Sequence, residues 1–358
     1  MTDERIKKLA KLVVEHSVFV KKGENVMISS GTEAVPFIRE LYKQVLLKGA
    51  FPFVNIGFQG ASYIYYKYAT DAQLKKFPDV TFASIKKMDK YIGIGADYNT
   101  RELTNIDPKK IALRGKVVRK IGDYIVNTKP RIHRVSLDYP TNALAQDAEM
   151  SLEEYEDFLY GACLQDWNSL GKKMRKVQTV MNGAKEIHII GEDTDIRIKP
   201  FKKSFIVDAG EENMPGGEVF GAPEKFGVEG HIRFSYPAIR SGVEVQNIFA
   251  EFKKGKCIKA SADKNEKFLN TMLDTDAGSR FIGELGIGMN PKVTRFTKNL
   301  LFDEKLGGTI HLAFGMAYKE CGEPNKSALH WDIVKDLRKG GKIIVDGKTV
   351  QKNGKWLV

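Results

Sequence analysis

The chain has 358 residues, 42% of them apolar, which is enough for about two domains with substantial cores. Lys and Arg number 57 against 45 Asp and Glu, a net charge of +12, but the basic residues are scattered with no sustained block and no aromatic–basic alternation, so composition argues against a nucleic-acid partner. Cys163, Cys257 and Cys321 are odd in number and far apart, which excludes a disulfide framework and fits a reducing, cytoplasmic setting; no apolar run approaches the ~20 residues that span a bilayer, and the mixed charge of 1–5 does not read as a signal peptide.

In chain order, 3–20 place Ile6, Leu9, Val13 and Val14 at helical spacing, with Thr2 or Asp3 as cap. The run 25–30 (NVMISS) reads as a buried strand, 33–47 as a helix ended by Gly49, and 53–58 as a strand. A helix begins at 71–76, a strand occupies 91–96, Asp107-Pro108 opens another helix, and 132–137 form a further strand. Strands alternating with helices imply a largely parallel sheet. Gly93-Ile94-Gly95 lacks the third glycine of a dinucleotide fingerprint, so NAD is not expected.

Ser151 with Glu154 makes a capping box that opens a long helix, continuing with a break to 181. Antiparallel strands follow at 186–190 and 195–198. The texture then changes to strand-rich sequence, which puts a domain boundary within 183–208. The expected fold is α/β. An N-terminal domain (1–200) has a largely parallel sheet with flanking helices. A C-terminal, mixed α/β, strand-rich domain (201–358) carries the candidate metal site.

In that second half, Pro and Gly make 207–223 a turn-rich loop holding Glu218. Strands are expected at 231–236, 243–252 and 257–262, a short helix at 266–273, and a second acid, Glu284, sits between Gly283 and Gly286. Glycine neighbours allow close approach to the backbone, although either acid alone reads more simply as a solvent-facing loop residue. Asp346-Gly347 and Asn353-Gly354 are hairpin turns that end the chain.

The stretch 302–332 concentrates the chemistry, since two of the chain's six histidines fall there. Residues 309–314 alternate, with Ile310, Leu312 and Phe314 on one face and Thr309, His311 and Ala313 on the other. His330 and Asp332 are two apart and share a face in an extended segment, with Trp331 opposite. Imidazole plus carboxylate is ligand chemistry for zinc, cobalt or manganese. Because the spacing is neither HExxH nor CxxC, a surface strand and loop that merely carry histidines is the plain alternative.

The order of Tyr98-Asn99-Thr100-Arg101-Glu102-Leu103, Tyr139-Pro140-Thr141 with 151–158, Asn213-Met214-Pro215 with Gly217-Glu218-Val219-Phe220, Gly283-Glu284-Leu285-Gly286 with Asn290, Gly307-Gly308-Thr309-Ile310-His311, and Ser327 with His330 and Asp332 resembles the thermophilic metallo-aminopeptidases of the M29 (aminopeptidase T and S) family over nearly the whole chain. The resemblance implies that Glu218, Glu284, His311, Tyr318, His330 and Asp332 surround two divalent ions (zinc, cobalt or manganese). Glu218, Glu284 and Tyr318 would also act in catalysis, and Glu304 would be a supporting group or a base. It further implies a cytoplasmic homodimer whose chamber admits short peptides and removes their N-terminal residue, without nucleic-acid or membrane partners. The segment between Tyr318 and His330 is shorter than the family's, which bears on specificity. The alternatives left open are another dinuclear metallohydrolase (an amidase or phosphoesterase) and a catalytically inactive peptide-binding protein.

Overall fold

A computed structural model describes residues 3–127, 132–240 and 242–358. These form two compact units: 1–165 with 210–215, and 166–209 with 216–358. The sequence reading divides the chain at 200/201; in the structure the chain leaves the first unit at 165/166 and revisits it briefly at 210–215.

The first unit opens on the helix Glu4–Leu12, continued by a wider turn Val13–Ser17. Asp3 caps it by accepting from the Arg5 N–H, and Ile6, Leu9, Val13 and Val14 are buried. Thr2, the alternative cap, lies outside the described residues. Four strands follow: β1 (Asn25–Gly31), β2 (Phe51–Gly57), β3 (Lys90–Gly95) and β4 (His133–Asp138). All pair in parallel in the order β2-β1-β3-β4, and Asn213–Met214 adds a short parallel strand beyond β4. Helix Val35–Leu47 joins β1 to β2, buries Phe37, Ile38, Leu41 and Val45, and ends before Gly49, whose φ of 71° suits a residue without Cβ. Helix Pro108–Asn127 begins where Asp107 Oδ1 accepts from the Lys109 N–H. Helices Ala61–Tyr68 and Asp79–Ile85 were not expected; they lie between β2 and β3 on either side of Asp71–Lys75, where apolar periodicity is weak. The Ser151/Glu154 capping box is present and opens Leu152–Cys163.

The second unit begins with helix Trp167–Gly183. One antiparallel sheet of eight strands runs in the spatial order Lys256–Ser261, Phe249–Lys253, Pro223–Arg233, Thr194–Pro200, Ile187–Gly191, Lys342–Val345, Lys348–Lys352 and Lys355–Trp356. Its terminal turns use Asp346 and Asn353 at positive φ, each followed by a positive-φ glycine, the geometry that matches strand twist. A second antiparallel sheet contains β5 (Ile206–Asp208), β6 (Glu218–Gly221), β7 (Ile282–Gly288), β8 (Thr309–Gly315) and β9 (His330–Asp336), in the order β9-β8-β7-β6-β5. Every residue of β7 and β8 is buried, so β8 is covered on both faces rather than exposed on its His311 side. Among the described residues no helix is long and apolar enough to cross a membrane.

Candidate metal centre

Strand register explains why five residues separated by more than a hundred positions converge. Directly opposed residues in an antiparallel pair project to the same face. In the second sheet Glu284 opposes Ala313 and Ala313 opposes Asp332; Gly286 opposes His311; Gly288 opposes Glu218; Gly315 opposes His330. Side chains alternate along a strand, so residues two apart share a face. Glu218, Glu284, His311, His330 and Asp332 therefore stand on one face across four adjacent strands. The positions among them are small: Gly286, Gly288 and Ala313. The turn-rich reading of 207–223 is corrected here, because Glu218 begins a strand and is buried. Glu284 likewise sits inside a strand and is buried.

His311 Nε2 lies 3.1 Å from Glu284 Oε1 and 3.5 Å from Glu218 Oε2. His330 Nε2 lies 3.3 Å from Asp332 Oδ2, while its Nδ1–H donates to the Met316 carbonyl at 2.8 Å. That second bond fixes the ring and leaves Nε2 facing the carboxylates. Tyr318 follows β8 with its ring centroid 4.8 Å from that of His330, and it is 36% exposed. Glu304 is beside the cluster through Lys305, whose ammonium is 2.7 Å from Glu304 Oε2 and 3.1 Å from Glu218 Oε1.

Lys305 was not among the expected site residues. Its side chain is 0% exposed. A lysine two residues before Gly307-Gly308 reads as a solvated loop cation, and no local pattern in the sequence announces its burial.

The electrostatics describe a cluster that attracts positive charge. Burial disfavours a charged His311, but Glu284, Glu218, Asp332 and Glu304 outweigh it and raise the ring to about 9. His330 is raised to about 10 against the same opposition, chiefly by Asp332. Asp332, though buried, is pulled down to about 2 by His330, with help from His311 and Lys305. Burial pushes Glu218 up to about 8 despite the neighbouring Lys305, and raises Glu284 despite its bond to His311. Desolvation and four surrounding carboxylates hold the Tyr318 phenol well above its usual range, so it remains an O–H donor.

The donor set fits divalent ions. Glu218 Oε2, Glu284 Oε2, Asp332 Oδ1 and His311 Nδ1 are buried without a hydrogen-bond partner, an arrangement that costs free energy unless something else engages the cluster. Two groups of side chains each bring three ligand atoms within 4.8 Å of one another: Glu218, Glu284 and His311, and Glu284, His330 and Asp332. Mixed imidazole and carboxylate donors suit zinc-like ions.

Fold and site together present a buried imidazole–carboxylate cluster suited to divalent ions. The sequence matches the family model described as thermophilic metalloprotease (M29) over residues 2–356, so the chain belongs to the M29 metallopeptidase family. It is 27% identical to aminopeptidase AmpS of Bacillus subtilis (strain 168) and 26% identical to aminopeptidase T of Thermus thermophilus, each match covering 99% of this chain and 98% of the relative. The solved structure of wild-type AmpT from Thermus thermophilus superposes with a TM-score of 0.86 at 22% identity, covering 99% of both chains.

Proposed function

We propose that this chain is a metal-dependent aminopeptidase that removes the N-terminal residue of short peptides at a two-ion site held by Glu218, Glu284, His311, His330 and Asp332, with Tyr318 beside it. The observation that carries this reading is that the two donor groups overlap at Glu284, which would serve both ions. Three carboxylates offset most of the charge of two divalent ions.

Ions bound there would act as a Lewis acid on the scissile carbonyl and lower the pKa of the attacking water. The protein's own groups supply the rest. Both oxygens of Glu218 are engaged, Oε1 by Lys305 and Oε2 on the donor side, so Glu284 or Glu304 takes up the water's proton. The Tyr318 O–H donates to the carbonyl oxygen as it gains negative charge. A carboxylate of the cluster also receives the free α-ammonium of the peptide, which explains a requirement for an unblocked N-terminus. Zinc, cobalt or manganese suit these donors.

A cytoplasmic homodimer is the accompanying proposal. The three cysteines are buried and far apart in the chain, as suits a reducing compartment. Edge strand β2 leaves Phe51 and Phe53 exposed on one face and Val54 and Ile56 on the other, an apolar edge that a second copy of the chain would cover.

Leucine-p-nitroanilide tests the function. Metal-stripped protein reloaded with zinc, cobalt or manganese should release p-nitroaniline from the free amine and not from its N-acetyl derivative. Release from both would favour a general metallohydrolase, and release from neither with any ion or N-terminal residue would remove the aminopeptidase reading.

A further inference from the structure

The fully buried ammonium of Lys305 stands directly beside a carboxylate expected to bind a cation, an arrangement that a generic ion site does not require. The backbone fixes it from two directions: the Lys305 N–H donates to the Phe302 carbonyl at 2.9 Å, and the Lys305 carbonyl accepts from the Asn290 N–H at 3.0 Å. Nζ then lies 2.7 Å from Glu304 Oε2 and 3.1 Å from Glu218 Oε1. The other oxygen, Glu218 Oε2, is buried, has no hydrogen-bond partner, and lies 3.5 Å from His311 Nε2 on the donor side of the cluster. The two oxygens of Glu218 thus face different partners.

We propose that Lys305 is a positioning residue of the ion site, occupying Glu218 Oε1 so that Glu218 offers Oε2 alone to a divalent ion, with Glu304 offsetting the lysine's own charge. The inference rests on the ion site proposed above. It goes beyond the six expected residues by assigning a cation of this chain to hold one of its ligands. A flexible carboxylate free to turn both oxygens inward must give up rotational freedom on binding, whereas one already held does not. Groups that support a metal ligand in this way change affinity by about 10–100-fold when removed.

Bare electrostatics gives the opposite sign. Removing a positive charge beside carboxylates strengthens their attraction for another cation. The affinity for zinc ion alone, measured by competition with a fluorescent chelator and without peptide, therefore decides between the two. Lys305→Met keeps most of the side-chain volume without the charge, and is expected to bind zinc about 10–100-fold more weakly. Lys305→Ala is expected to recover affinity when propylammonium is supplied, and not when the uncharged butanol is. Unchanged or tighter zinc binding by Lys305→Met overturns the proposal while leaving the ion site standing. Failure of the unmodified protein to bind zinc overturns the site itself. Zinc binding without peptide cleavage removes only the aminopeptidase reading.

An arm on the unmodified protein covers the case in which the variants do not fold. With 15N-labelled lysine, the Lys305 ammonium is expected as a slowly exchanging resonance that shifts on zinc addition. Its absence, or its indifference to saturating zinc, overturns the proposal.

Discussion

A methyl group placed on Gly286 would lie 1.9 Å from His311 Nε2 and 2.0 Å from its Cε1. The two residues are direct cross-strand partners, so the imidazole stacks over the glycine backbone, and the absence of a side chain there creates the space the ring occupies. Gly286→Ala must therefore turn His311 away from Glu284 and Glu218. A fall in turnover of about 100-fold or more is expected, since small misplacements of a reacting constellation cost that much. Isothermal titration should show zinc affinity falling with it. Normal turnover in Gly286→Ala would remove His311 from the working site.

Gly122 provides the contrast. It lies within helix Pro108–Asn127, and a Cβ there would meet nothing within 4 Å. Gly122→Ala should stabilise the protein by about 0.5–1 kcal/mol in denaturant titration, with peptidase activity unchanged.

Glu284 belongs to both donor groups, so its loss should disturb the site more than the loss of Glu218 or His311. Glu284→Ala is expected to abolish peptide hydrolysis and lower bound metal measured by plasma emission, while circular dichroism stays native. Near-normal turnover in a preparation checked for metal would exclude the residue.

Ion removal should also be visible in stability. A ligand bound only by the folded state at 100 times its Kd adds about 2.7 kcal/mol. Chelation should therefore lower Tm, and adding back the activating ion should restore it. Equal melting curves with and without ions would argue against a site filled in the folded state.

The pH dependence of stability should carry a signature of Asp303, a residue outside the proposed ligand set. Burial raises its pKa from 3.8 to about 7, only partly offset by donation from the Thr297 N–H at 2.7 Å and Oγ1–H at 3.0 Å to Oδ1. The folded state thus holds this proton more tightly than the unfolded chain. The stability it contributes is complete below about pH 4 and is lost as pH rises towards 7, at up to about 1.4 kcal/mol per unit. Asp303→Asn retains the Oδ1 acceptor and cannot ionise. The Tm of the variant minus that of the unmodified protein should rise between pH 4 and 7 and level off above. A difference that does not vary with pH would show that Asp303 titrates normally.

Dimerisation through β2 predicts a dimer by light scattering at micromolar protein and a shift towards monomer in Phe53→Glu. An active monomer in the unmodified protein would remove the shared chamber.

The sequence by itself determined those features whose energetics are local. Asp3 and Ser151 cap helices through bonds to residues two or three positions away, and Asp346-Gly347 and Asn353-Gly354 set hairpin turns through their own φ preferences. The shared face of His330 and Asp332 followed from strand periodicity alone. The match of all six site residues to a family's motifs named Glu218 and Glu284, which composition would have left as loop acids. Tertiary structure decided what depends on register between strands far apart in the chain. It buried Glu218 and Glu284 inside strands, opposed Gly286 to His311, and closed a lysine between two glutamates. The reason is that burying a charge is costly alone and tolerable only when its partners arrive with it. For Lys305 one of those partners is Glu218, 87 positions earlier in the chain, and only the assembled sheet brings the two together.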